Sequence, residues 1–561
     1  MRPFRTEDVS TQEWRWVAYL GGFLVALTLL PYAWAMFVSD NTWSFMGALA
    51  NPLDSATYFA KIRQGIQGNW LFELQYTPEA HDRAGLYMFY LLLGHIARLL
   101  GFSTVVIFHL ARVATSFFMF TALYQLGAHI WQRLRPRRLF LALTALGSGL
   151  GWLVIIIYPS VDPLPPDLNV PEGFPLYAAY ANPHFPLSIG CLALLAGICL
   201  QVFRPGFKEA PTVDNGGLAV IVYSIILALI QPPALMSIGG TLVVFTLVNA
   251  YTRREIPWHE VRWTAMICIP AFPIALYYVL VFQSNEIFGT LNEQIISRTP
   301  NVLVTILSFG LLLLVAFPGI IRAARHFERD GDQFMLIWLI VGAIALYLPY
   351  SIQRRFFIGL IIPIVFFAVR SLEDYWFSQI STRWQKPALI LLFVFMLPSN
   401  IIALGIPLFG AVANREEGAE AGLLVDRNYV EIYDWLEEFG AEGEVVLASP
   451  EISLWIPAET PLRVVYGHPF ETVPVEERRK QVEDFFGGRD CETLLLSDDL
   501  NFTVSYVIWG DREDDLADEI RKDKPNETFD DCREVIENFI EDDQQIRMFG
   551  DVTLYILRDL R

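Results

Sequence analysis

The sequence predicts a mainly α-helical polytopic membrane protein that carries a C-terminal extracytoplasmic α/β domain. Three observations predict it. Of the 561 residues, 54% are hydrophobic and 14% aromatic, and mean hydropathy is +0.39, far more apolar than a water-soluble domain. Apolar runs at 16–38, 104–130, 139–158, 186–203, 217–231, 234–250, 263–282, 301–321, 333–350, 356–370 and 387–410 approach the ~20 residues that cross a bilayer, so about 11–13 spans are expected. Charge is also divided: from residue 411 onward there are 38 acidic and 15 basic residues, so this stretch holds about −23 against −19 for the whole chain. The two parts therefore face different surroundings, and the expected domains are a membrane domain over 1–412 and a soluble domain over 413–561. An acidic tail without a basic footprint excludes nucleic acid as a partner.

The first apolar run lacks a small-residue cleavage site after it and reads as a span, not a removed signal peptide. An outer loop over 39–103 follows. Its stretch 51–70, NPLDSATYFAKIRQGIQGNW, reads as a helix with Pro52 near the start. Asp54, Tyr58, Lys61, Gly65 and Gly68 share one face, while Phe59, Ile62 and Ile66 fall on another with Ala56. An amphipathic helix at a membrane surface is expected, holding Asp54 and Lys61 away from lipid. Asp54 then has two readings, a helix cap that accepts orphan N–H groups or a functional carboxylate. Residues 86–100 contain His95 and Arg98 and reach only about 22 Å as a helix, so they read as re-entrant or juxtamembrane.

Basic residues orient the chain, because cytoplasmic loops carry the Lys and Arg excess. Arg133, Arg135, Arg137 and Arg138, then Arg253 and Arg254, then Arg322 and Arg325 fall on one side, which is the cytoplasmic one. The outer side receives loop 39–103, loop 159–185, loop 283–300, the Gln353-Arg354-Arg355 turn and the whole tail. Arg354 and Arg355 oppose the positive-inside bias there. A planar guanidinium matches phosphate in a bidentate way, so a lipid phosphate is a natural partner, with a snorkelling anchor as the alternative. His184 ends the loop that carries Asp162 and Asp167; it either donates to an anionic ligand or serves as a hydrogen-bonded interface residue. Glu79, His81 and Asp82 form a polar cluster in the first outer loop. They leave a divalent cation open as a cofactor, although their spacing matches no defined ligand set.

In the tail, strands are expected at 444–449, 463–467, 492–497 and 504–510, with a hairpin-like pair near 547–557. Helical stretches at 430–439, 475–486 and 530–539 alternate with them, so the sheet should be largely parallel. No Gly-rich phosphate loop is present. Cys491 and Cys532 both lie in this domain, either as a disulfide or as structural thiols.

Asp54, Tyr58 and Gly68-Asn-Trp70 after the first span resemble the first outer loop of the GT-C glycosyltransferases. The resemblance implies a polytopic enzyme using polyprenyl-phosphate-linked sugars, in which the loop acid serves as general base or orients the acceptor. It also implies that Arg354 and Arg355, with His184, contact the donor phosphate, and that Tyr58, Lys61, Glu79 and His81 support the acceptor or the loop. That loop commonly begins Asp-Glu, whereas Ser55 follows Asp54 here, so Asp40 and Asp82 stand as further candidates for the catalytic acid. The implied function is an inverting transfer of a sugar to an extracytoplasmic lipid, glycan or protein acceptor at the cell membrane. Alternatives are a transporter or lipid flippase, for which no internal repeat is found, and a non-catalytic assembly partner.

Overall fold

A computed structural model describes residues 9–327, 331–413, 415–489, 491–496, 500–523, 529–540 and 542–558. Among the described residues eight helices are long and apolar enough to cross a membrane, from Thr11–Phe37 to Thr382–Ala413. Gly217–Ile230 and Asp332–Ala345 are apolar but shorter, at 14 residues each. The expected span at 139–158 is divided into Leu134–Ala145 and Gly151–Ile157. The divide follows from Gly147-Ser148-Gly149, where the backbone N–H groups of Gly149 and Gly151 donate to the Asp167 carboxylate at 3.2 and 3.0 Å. A buried acid thus satisfies the start of the second piece.

By spatial clustering the chain forms two units, the first comprising Met1–Pro31, His109–Tyr278 and Ile296–Ile406, the second Tyr32–Phe108, Val279–Ile295 and Pro407–Arg561. In the first unit, small residues let helices approach closely, as is usual in bilayers where apolar burial alone gives little drive. The Gly319 N–H donates to Ser371 Oγ at 2.7 Å, joining Val302–His326 to Ile361–Ser371.

The second unit is built on Pro52–Gln67 and Met88–Leu100. These helices cross at two glycines: a Cβ on Gly65 would stand 2.2 Å from the Leu91 carbonyl oxygen, and one on Gly94 2.0 Å from that of Ile62. Because the obstruction is backbone, Gly65→Ala should destabilise the protein by about 1–3 kcal/mol or more. Gly405→Ala, with open space around it, should leave the melting temperature unchanged or higher. An unshifted melting temperature for Gly65→Ala would refute the close crossing. Met88–Leu100 rises only about 20 Å, too short to cross a bilayer. Its Leu92, Ile96, Leu99 and Leu100 form an exposed apolar stripe.

Pro52–Gln67 does not lie on a surface as expected. Ala56, Phe59, Lys61 and Ile62 are all fully buried, because Met88–Leu100 covers one side and tail residues cover another, with the Phe59 ring 5.9 Å from that of Trp455. An amphipathic pattern marks a polar and an apolar face, but not whether water or protein covers the polar one.

The tail folds as a five-stranded mixed sheet ordered Arg463–Val464, Val445–Leu447, Val504–Trp509, Val552–Ile556, Ile546–Phe549. The first three strands run parallel, and the last two join antiparallel, so the sheet is less parallel than expected. The expected strand at 492–497 is instead the helix Cys491–Leu496, of which residue 497 lies outside the described residues. Cys491, Leu494 and Leu495 are buried at helical spacing, a period hidden by three consecutive leucines. Cys491 pairs with Cys532 as a disulfide across 41 residues, with Cα atoms 5.2 Å apart. A two-stranded antiparallel ribbon, Trp43–Phe45 with Leu424–Asp426, ties the segment after the first apolar helix to the start of the tail.

Candidate functional site

The polar face of Pro52–Gln67 meets the tail loop 467–472 inside the second unit. Lys61 is fully buried; its Nζ donates to Glu471 Oε1 at 2.7 Å and Oε2 at 3.1 Å, and to Thr57 Oγ1 at 3.1 Å. The ammonium also lies 4.1 Å from the centre of the Tyr87 ring and 5.3 Å from those of Tyr58 and Phe72. Aromatic faces and one carboxylate thereby replace its water. Tyr58 stacks on Tyr90 with centroids 4.3 Å apart. Tyr87 holds a left-handed backbone, φ 53°, which is costly for an aromatic residue.

Asp54 sits half-buried in the first turn of this helix. It does not cap it: the N-cap position is Asn51, in the left-handed region, and no side chain closes a cap hydrogen bond there. Among the described residues the Asp54 carboxylate makes no hydrogen bond and no ion pair. This carboxylate is therefore not a structural brace, and its partial exposure leaves it accessible to a ligand.

The buried imidazole of His468 stands beside Asp54 and the Leu53 carbonyl. Its Nδ1 accepts from the N–H groups of Phe470 and Glu471 at 3.1 and 2.9 Å. Burial pushes its pKa down, against the pull of Glu471 and Asp54, so the ring is neutral with its proton on Nε2. Gln294 fixes the same loop by donating to the carbonyls of Phe470 and Thr472 at 3.0 and 2.6 Å.

The other candidates in this unit hold the loop in shape. Asp40 Oδ1 accepts from the N–H groups of Thr42 and Trp43, each at 2.9 Å, and its Oδ2 pairs with Arg415. Glu79 pairs with Arg478 and accepts from Thr77 Oγ1. His81 uses both ring nitrogens on backbone, Nε2 accepting from Leu74 N–H at 3.0 Å and Nδ1 facing the Glu79 carbonyl at 3.0 Å, and burial lowers its pKa. Asp82 is exposed, and its carbonyl accepts from Asn285. Glu73, unremarked in the sequence, binds Arg463 and Arg83. Burial pushes the Glu73 carboxyl up, but the two arginines outweigh it and hold it below the usual carboxylate range.

In the first unit, Arg354 and Arg355 lie half-buried in the short 3-10 helix Gln353–Phe357, whose Arg354 N–H donates to the Ser297 carbonyl at 2.9 Å. Arg354 Nε is buried without a hydrogen-bond partner, and among the described residues its guanidinium makes no ion pair. His184 begins the helix His184–Val202, is buried, and packs 3.9 Å from the Phe185 ring. Among the described residues no three His, Cys, Asp or Glu side chains converge as a metal site. Glu79 and His81, the residues that left a cation open, contact Arg478 and backbone.

The chain superposes on the oligosaccharyltransferase of Archaeoglobus fulgidus, solved in complex with zinc and sulfate, with a TM-score of 0.51 and 13% identity over 86% of this chain and 67% of that one. The fold is the GT-C fold. ArnT from Cupriavidus metallidurans, solved with undecaprenyl phosphate, aligns over 96% of this chain and 98% of its own at 13% identity and a TM-score of 0.46. The mycobacterial arabinofuranosyltransferase AftD aligns over 96% of this chain and 40% of its own, at 13% identity and a TM-score of 0.48. No protein-family model matches the chain, and no curated protein matches it in sequence. Within this GT-C fold, Asp54 lies in the first turn of Pro52–Gln67, after the first apolar helix.

His468 and Glu471 were not singled out from the sequence. Their one signal is the Gly467-His-Pro-Phe-Glu-Thr472 run, a histidine and an acid three apart in a glycine- and proline-bearing loop.

Proposed function

We propose that this protein is a membrane glycosyltransferase that moves a sugar from a polyprenyl-phosphate donor to a hydroxyl-bearing or amide-bearing acceptor outside the cytoplasm. The observation that carries this reading is Asp54: a half-buried carboxylate in the first outer loop of a GT-C fold, neither capping its helix nor paired with a cation. Such a group can take a proton from an acceptor as the acceptor attacks the anomeric carbon. Attack opposite the phosphate inverts that carbon, and the C–O bond to phosphate breaks as the new glycosidic bond forms.

Arg354 is the residue proposed for the donor phosphate, since its Nε is buried with no partner and its charge is uncompensated among the described residues. The Cys491–Cys532 disulfide supports an extracytoplasmic tail, because such bonds persist in oxidising compartments. No step is routed through a metal ion.

The reading is tested with purified protein in vesicles, membranes containing acceptor, and radiolabelled polyprenyl-phosphate pentoses and hexoses. Transfer from at least one donor is expected, and no transfer from any of them would refute it. Arg354→Ala removes a charge-assisted hydrogen bond of about 1.5–3 kcal/mol. Binding of polyprenyl phosphate should weaken about ten- to a hundredfold, and wild-type affinity would leave Arg354 as an interface anchor.

A further inference from the structure

Met88–Leu100 packs on Pro52–Gln67 through one side, where Leu91 and Gly94 are buried. Its other side carries Leu92, Ile96 and Leu99 at i, i+4 and i+7, with Leu100 beside them. All four are exposed, Leu99 by 83%. Single exposed leucines are ordinary, but a row on one helix face marks a surface that is made to be covered.

The chain itself indicates the cover. Leu100 stands four residues before Thr104, the first residue of Thr104–Ile130, which is long and apolar enough to cross a membrane. Four residues reach at most about 14 Å. The joint is tighter than that, because the Phe102 N–H donates back to the Ala97 carbonyl at 3.0 Å. The stripe thus ends close to the point where the crossing helix begins, and exposed Phe102 and Val106 continue its apolar surface onto that helix.

The polar groups at its border suit a layer of lipid headgroups. Trp70 is 58% exposed and stacks on His95 of this helix, with ring centroids 3.8 Å apart; tryptophan favours the boundary between membrane and water. Arg98 is exposed and, among the described residues, forms no ion pair. Its guanidinium matches a lipid phosphate, and its stem can lie along the apolar surface. Symmetric pairing of two copies through the stripe would instead bring Arg98 to the same contact twice, like charge near like.

We propose that Met88–Leu100 is a lipid-seated helix: its stripe lies about 5–10 Å into the leaflet that the start of Thr104–Ile130 enters, with Arg98 at the phosphates. Because the helix is locked to Pro52–Gln67 at Gly65 and Gly94, this seat holds Asp54 at a fixed height over the lipid. That consequence rests on Asp54 as the base, whereas the seat itself does not.

The test uses the full-length protein in phosphatidylethanolamine–phosphatidylglycerol vesicles, with Cys191, Cys199 and Cys268 replaced by Ala and one nitrobenzoxadiazole label on an introduced cysteine. Labels at Leu99→Cys and at Ile96→Cys should lose emission to lipids that carry a nitroxide near the headgroup, and lose less to lipids that carry it near the chain end. A label at Lys480→Cys, exposed in the tail, should lose none. No loss at Leu99→Cys, or a greater loss to the chain-end nitroxide, would overturn the proposal. Leu92→Glu with Leu99→Glu should abolish the loss at Ile96→Cys without lowering the melting temperature in detergent, since both positions are exposed; a loss that persists would also overturn it. A disulfide between Leu99→Cys residues of two copies, without quenching by lipid, would assign the stripe to a second copy. Protection of Leu99→Cys from labelling in native membranes but not in vesicles would assign it to a protein partner, and either result overturns the seat. Asp54→Asn should leave the quenching pattern unchanged, so failure of the base and failure of the seat are read apart.

Discussion

Asp54→Asn should lower the rate of sugar transfer by about 10²-fold or more while the protein expresses and melts as wild type. The size of the effect follows from what Asn keeps and loses. It keeps the shape of Asp, and since the native side chain forms no cap and no ion pair, no stabilising contact is removed. It loses the ability to accept a proton near neutral pH. The measurement is steady-state turnover of the labelled polyprenyl-phosphate sugar, with KM followed separately. A fall in kcat with KM unchanged identifies an interaction made only as the acceptor loses its proton. Near-normal turnover in a well-folded variant would take Asp54 out of the mechanism. Asp40 would not then be the natural replacement, because its carboxylate is held by the Thr42 and Trp43 amides and by Arg415. Exposed Asp82 would be the next acid to change.

Much of the architecture is legible in the sequence because the signals are physical and repeated. Long apolar runs specify helices long and apolar enough to cross a membrane. The failures have equally physical causes. Residues 139–158 are apolar throughout, yet a Gly-Ser-Gly break and a distant acid, Asp167, divide the helix. Three leucines in a row conceal whether a segment is strand or helix, so Cys491–Leu496 was expected as a strand. Helical spacing correctly put Asp54, Tyr58 and Lys61 on one face, but periodicity carries no information about a partner 410 residues away, which is what buries Lys61. Glu79, His81 and Asp82 looked like a site because polar residues were clustered in sequence. Their side chains instead diverge, to Arg478, to backbone and to solvent. The tail's part in this cluster was invisible for the converse reason: Glu471 stands alone in sequence and meets Lys61 of Pro52–Gln67 only in the fold.

Glu471→Ala should destabilise the protein more than any other single change in this cluster, by about 3–5 kcal/mol, because it removes the carboxylate that faces a fully buried ammonium. The aromatic rings around Lys61 soften that cost without removing it, since a cation over a ring gains about 0.5–2 kcal/mol, less than the desolvation of an unpaired charge. Removing both partners should therefore be milder than removing one. The Lys61→Met, Glu471→Leu pair keeps much of the volume, eliminates both charges and should recover most of the lost stability, measured as resistance to thermal or denaturant unfolding in detergent. The same pair separates stability from chemistry. If Lys61 and Glu471 serve only to join Pro52–Gln67 to the tail, a well-folded double variant transfers sugar at close to the wild-type rate. If Glu471 also keeps loop 467–472 in register, through the N–H it donates to His468 Nδ1, that backbone bond survives the side-chain change and turnover is again retained. A stable double variant with turnover reduced as far as in Asp54→Asn would show that the Lys61 charge itself acts on the reaction, and equal stability of Glu471→Ala and wild type would show that the ion pair does not hold the loop to the helix.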